Sequence, residues 1–118
     1  MDNRWVVVVE PERFELLVSA ALDALPPELG RLMQNVAVTV EHDRGPRGLL
    51  GLYSGVPLTK RTSRYSAVLP DRITIYRLAI CALCRTDAEV VEQVRRTVIH
   101  EVGHHFGISD GRLRELGW

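Results

Sequence analysis

The sequence has little of what marks several large protein classes. Its 118 residues include only two cysteines, too few for a secreted disulfide framework. The 15 basic and 15 acidic side chains cancel to a formal net charge of zero, so no general attraction to nucleic acid or to a membrane surface is expected. No apolar run approaches the roughly 20 residues that a membrane-spanning helix needs. Val6-Val7-Val8-Val9 follows Trp5 but lacks the length and the small-residue cleavage site of a secretory signal. Repeats and low-complexity stretches are absent as well. These absences leave a soluble, cytoplasmic protein as the expectation, with residues 1–118 forming one domain and one modest core.

What is present is concentrated near the end of the chain, in His100-Glu101-Val102-Gly103-His104-His105-Phe106-Gly107-Ile108-Ser109-Asp110. The pattern is H-E-x-x-H, followed by glycine three residues on and aspartate six residues on. On a helix His100 and His104 sit one turn apart, offset by roughly 40° around the axis. Two imidazoles so placed can bind one Zn²⁺, and Glu101 can act on a water there. By composition alone the pattern arises by chance in roughly a few chains per thousand of this length, so its surroundings have to support it.

They do. From Thr86 to His105 there is no proline, and the one glycine is Gly103. Val90, Val91, Val94, Val98 and Val102 recur at helical spacing and form an apolar face. His100 and His104 point roughly 130° away from its centre, with Gln93 and Thr97, and Glu101 lies between the two faces. The helix thus has a core face and a separate metal-capable face. Asp87 is placed to cap it or to sit in its first turn, with Glu89 following. Gly107 is a C-terminal stop.

A third ligand has to come from beyond the helix. A turn at Gly107 brings Asp110 back towards the histidines, and a carboxylate oxygen is an acceptable zinc ligand. Asp110 is equally placed to cap a short helix over 111–116, and the two roles are compatible. His105 projects towards the Val94 and Val98 side and reads as a packed histidine, not a ligand. His42 reads as a strand-end residue. Cys81 and Cys84 have C-x-x-C spacing, but the apolar run Leu78 to Cys84 around them points to buried thiols acting as small hydrophobes.

H-E-V-G-H-H-F-G-I-S-D resembles the H-E-x-x-H-x-x-G-x-x-D signature of zincin-like metallopeptidases, and more specifically the small bacterial family called minimal zincins. The resemblance extends to Phe14-Glu15-Leu16-Leu17-Val18, to Ala21-Leu22-Asp23-Ala24-Leu25-Pro26, to Leu49-Leu50-Gly51-Leu52-Tyr53 and to residues 69–77. It implies metal ligands at His100, His104 and Asp110, a catalytic Glu101, Zn²⁺ as cofactor, and a peptide or protein as substrate. The chain departs from metzincins by having Asp where they have a third His. With only eight residues following Asp110, no methionine turn is expected below the metal.

The rest of the chain reads in outline. Residues 11–25 form an amphipathic helix with Phe14, Leu17, Val18, Ala21, Leu22 and Leu25 on one face. A short helical piece over 27–33 follows. Strands are expected over 36–42, 49–53 and 73–76, and residues 54–70, with Lys60, Arg61 and Arg64, read as a solvated loop or a substrate-facing flap. The expected fold is α+β, a small sheet of about three strands on two main helices, with the active-site helix near the C-terminus. The strand before that helix is the candidate for pairing with an extended peptide, and Tyr53 or Tyr76 could supply an oxyanion partner or sit in the core. Two other functions fit the same residues. One is a zinc-stabilised binding module, closed by His105 or a cysteine as fourth ligand; the other is an accessory subunit that uses the basic stretch Lys60 to Arg64.

Overall fold

A computed structural model describes residues 9–55 and 71–118. Two α-helices, three strands and three further α-helices follow one another along the described chain: α1 Pro11–Asp23, α2 Pro27–Leu32, β1 Val36–Glu41, β2 Gly51–Ser54, β3 Asp71–Tyr76, α3 Arg77–Cys81, α4 Asp87–His105 and α5 Asp110–Glu115. This is the expected α+β domain, with α1 and α4 as its two long helices. The solvated-loop reading of 54–70 falls, beyond Gly55, outside the described residues. No described helix is long and apolar enough to cross a membrane.

The sheet is mixed, in the order β1-β3-β2. β1 runs parallel to β3, with Val38 opposite Ile73 and Val40 opposite Ile75. β2 runs antiparallel to β3, with Gly51 opposite Ile75 and Tyr53 opposite Ile73. One sequence expectation is overturned here. β3, the last strand before the long C-terminal helix, is central and paired on both sides, so it has no edge for a peptide. Among the described residues the edges belong to β1 and β2.

Alternation puts Ile73 and Ile75 of β3 on one face of the sheet, where both are fully buried. They meet Phe14, Val18 and Ala21 of α1, Leu29 of α2, and Val90, Val94, Val98 and Val102 of α4 in one core. Burying a side chain of this size stabilises by about 1.5–3 kcal/mol relative to leaving it exposed. The buried surface of α4 is wider than a valine stripe, because Thr97, Ile99 and Gly103 are buried too. That breadth reflects neighbours on three sides: α1, the sheet edge and α5.

Cys81 and Cys84 are free and buried in this core, as their apolar surroundings led us to expect. Burial pushes both thiols up, that of Cys84 to about 11, with smaller contributions from Cys81 and Glu89. A short helix, α3, takes up the first part of the apolar run Leu78 to Cys84.

Candidate metal centre

Helix α4 begins with Thr86 as N-cap, its hydroxyl accepting from the Glu89 amide at 3.1 Å. The Glu89 carboxylate in turn accepts from the Arg85 amide at 3.1 Å, in the manner of a capping box. Asp87 is therefore a first-turn residue, and its carboxylate pairs with Arg13 of α1. The helix runs without interruption to His105 and carries His100, Glu101 and His104 on its last turns.

The turn that follows places Asp110. Gly107 has φ +75°, a left-handed conformation that favours glycine. Its amide donates to the His104 carbonyl at 3.1 Å, and the Ile108 amide donates to the Gly103 carbonyl at 2.7 Å. This is a Schellman stop, and it reverses the chain beside the histidines. Ser109 then caps α5, its hydroxyl accepting from the Arg112 amide at 3.1 Å. The capping role that the sequence offered to Asp110 falls to Ser109, which leaves the Asp110 carboxylate free to turn back to α4.

Asp110 Oδ1 lies 3.2 Å from His100 Nδ1 and 3.2 Å from His104 Nε2. The three side chains form a group whose donor atoms all lie within 4.8 Å of one another. Zinc–ligand bonds of about 2.0–2.1 Å at tetrahedral angles put neighbouring donors about 3.3 Å apart. Two edges of this triangle already have that length, and two nitrogens with one carboxylate oxygen are ordinary zinc donors. The residues fit the metal. About half of each of the three side chains is exposed, so the group opens to solvent.

Glu101 stands outside the donor group, half-buried. Its Oε1 accepts from the Tyr53 backbone amide of β2 at 3.1 Å. The contact follows from how β2 runs beside α4. Gly51 sits so close to the helix that an added Cβ would lie 2.8 Å from Thr97 Cγ2. Two strand residues on is Tyr53, and four helix residues on from Thr97 is Glu101; both steps advance about 6–7 Å. Glycine at 51 thus brings the strand amide into reach of the carboxylate. Nothing in sequence periodicity announces this contact, since it is made by main chain.

His105 departs from expectation. It is not in the core but stacks on the Tyr53 ring, centroids 3.9 Å apart, with its Nε2 3.6 Å from Asp71 Oδ2. The Tyr53 hydroxyl donates to the same Asp71 oxygen at 2.8 Å, which ties it to β3. Tyr76 is buried. Neither tyrosine lines the cleft described next, so the sequence-based choice of an oxyanion partner finds no support. His42 directly follows β1, as expected, and accepts from Arg77 at 3.1 Å.

A cleft of about 650 Å³ opens at the donor group. His100, Glu101 and Asp110 line one end, the 48–51 segment forms one wall, and Gln93, Arg96 and Thr97 of α4 and Arg114 of α5 continue it. Gln93 and Thr97 belong to the face that helical spacing assigned to the metal. Arg96 and Arg114 were missed, although Arg96 lies one turn before His100 and the same spacing argument reaches it.

The family model for zincin-like metallopeptidases matches residues 33–118, which include the whole sheet and the donor group. The fold is similar to that of a conserved hypothetical protein from Thermus thermophilus, with a TM-score of 0.55 and 24% sequence identity, over 83% of this chain and 94% of that one. No curated protein matches the chain.

Proposed function

The chain belongs to the zincin-like metallopeptidase family, and from that premise we propose that it hydrolyses peptide bonds with zinc, using Glu101 as general base. One observation carries this reading. A single Asp110 oxygen meets a nitrogen of His100 and of His104 at 3.2 Å each, beside a glutamate that a strand amide holds in position.

His100, His104 and Asp110 would hold the metal. Bound zinc supplies Lewis acidity, which eases loss of a proton from water and polarises a carbonyl. Glu101 provides the base. The Tyr53 amide engages Oε1 and fixes the carboxylate, so Oε2 is the atom that takes the water's proton and later gives it to the leaving amine. The substrate peptide lies extended along β2, an edge strand among the described residues that flanks the site. The Tyr76 amide donates to the Leu50 carbonyl, so by antiparallel alternation Gly51 directs its main-chain groups away from β3, towards such a peptide. The two buried thiols suit a reducing, cytoplasmic compartment.

A purely structural zinc would be closed by a fourth protein ligand. Among the described residues the donor group has three members, while His105 is engaged with Tyr53 and both cysteines lie in the core. This favours the peptidase over the binding module. The accessory-subunit reading rests on Lys60 to Arg64, outside the described residues.

The test is cleavage of casein or of a peptide library by protein stripped with a chelator and then reloaded. Cleavage should vanish on stripping and return with zinc. Cleavage that survives stripping, or none at any zinc concentration, would refute the proposal.

A further inference from the structure

We propose that the cleft selects substrates by a carboxylate placed two to three residues from the scissile bond, gripped by Arg96 and Arg114. The inference takes a peptide as occupant from the reading above and adds the chemical class it must have.

Helices α4 and α5 carry four arginines, and they divide by position. Arg95 is paired with Glu92 at 2.9 Å, and Arg112 with Glu115 at 3.0 Å; neither lines the cleft. Arg96 and Arg114 line it; among the described residues neither is held in an ion pair or side-chain hydrogen bond, although the Glu92 carboxylate, bonded to Arg95, lies near enough to Arg96 to feel its charge. Each stands one helical turn from a metal-donor residue: Arg96 four residues before His100, Arg114 four residues after Asp110. One turn is about 6 Å along a helix axis, and an extended peptide advances about 3.3 Å per residue. Measured along the helix axes, each arginine thus stands about two substrate residues from the donor group, and its long side chain extends that reach to about three.

The cleft's acidic lining residues, Glu101 and Asp110, lie at the donor end. The protein's own charges along the cleft are thus polar: acidic at the donor group, where a bound Zn²⁺ would offset them, and basic one turn away. Guanidinium forks bind carboxylates by paired, charge-assisted hydrogen bonds. A substrate carboxylate is favoured at the basic end. It can belong to an internal Asp or Glu side chain or to the substrate's own C-terminus.

The test measures binding to the zinc-loaded Glu101→Gln protein, so it does not depend on turnover. Short dye-labelled peptides, acetylated and amidated, carry one Glu, Gln or Lys walked through successive positions; a second set has no internal acid and a free C-terminal carboxylate. Fluorescence anisotropy reads the affinities. Glu should bind at least about threefold tighter than Gln at one position, and Lys weaker than Gln there. The preference should shrink as salt is raised to about 0.5 M. It should collapse in Arg96→Gln/Arg114→Gln and persist in Arg95→Gln, the off-cleft control. Tight binding by the second set alone identifies the terminal carboxylate as the source. Equal affinities for Glu and Gln without a gain from a free terminus, a preference that survives the double substitution, or no binding by any acid-bearing peptide overturns the proposal. Selective binding with no cleavage by wild type would instead remove the peptidase reading and leave the carboxylate cleft standing.

Discussion

Gly103→Ala tests how the metal site is held together. Gly103 is one of the two unspecified positions inside H-E-x-x-H, and it is buried where α5 crosses α4. An added Cβ would lie 3.1 Å and 3.2 Å from the two terminal methyls of Leu113 and 3.5 Å from its Cγ. Carbon atoms prefer about 3.5–4.0 Å, so Leu113 has to retreat by a few tenths of an ångström. Leu113 is the buried residue of α5, and Asp110 stands three residues before it on the same six-residue helix. A retreat of Leu113 therefore carries Asp110 away from His100 and His104. Two energies oppose each other. Alanine gains about 0.5–1 kcal/mol over glycine in a helix, and overpacking costs about 1–3 kcal/mol. The metal-free protein should lose about 0–2.5 kcal/mol, while zinc affinity falls about tenfold, the scale of damage to a site's supporting contacts. Urea melts of the stripped protein and competition with a fluorescent chelator measure the two separately. A variant that gains the full helix increment and binds zinc as tightly as wild type would refute the claim that this close approach sets the position of Asp110.

Further outcomes follow from the same geometry. His100→Ala and His104→Ala should each abolish the single zinc per chain, measured by elemental analysis. Asp110→Asn should weaken zinc binding at least about tenfold with little change in metal-free stability, whereas Ser109→Ala should cost about 1 kcal/mol of stability through the lost cap; melts and chelator competition on both variants check the division of labour. The raised thiol of Cys84 means that the folded chain holds its proton more tightly than the unfolded chain. Its contribution is complete below pH 9 and is lost as pH rises through about 11. Denaturation midpoints should fall across that window, and fall less in Cys84→Ala. Replacing both Cys81 and Cys84 with Ala should leave zinc at one per chain and cost about 1–3 kcal/mol, read by urea melts and elemental analysis.

The helices and their faces were legible because helical periodicity is local. Phe14, Val18 and Ala21 fell on the buried side of α1, and His100 and His104 on the open side of α4, as spacing required. The Gly107 turn was legible for the same reason. Sheet order was not, because pairing joins residues 36–41, 51–54 and 71–76 across long separations, and nothing local says which strand is central. His105 was misjudged because a helical wheel ignores what packs beside a helix end, and Tyr53 arrives there from β2. Asp87 took the first-turn place that the sequence offered it beside the cap, and Asp110 the place beside the histidines. Thr86 and Ser109 hold the caps, and the neighbouring Asp87 and Asp110 turn to Arg13 and to the histidines.

In the proposed mechanism Glu101 moves the proton, while His100, His104 and Asp110 would hold the metal. Glu101→Gln keeps the side chain's shape and can still bond the Tyr53 amide through its carbonyl oxygen, but it cannot take a proton. Zinc content and peptide cleavage measured on the same preparation separate the two roles. One zinc per chain is expected, as in wild type, with cleavage slower by a factor of about 10² or more. Cleavage at the wild-type rate by zinc-loaded Glu101→Gln would contradict it.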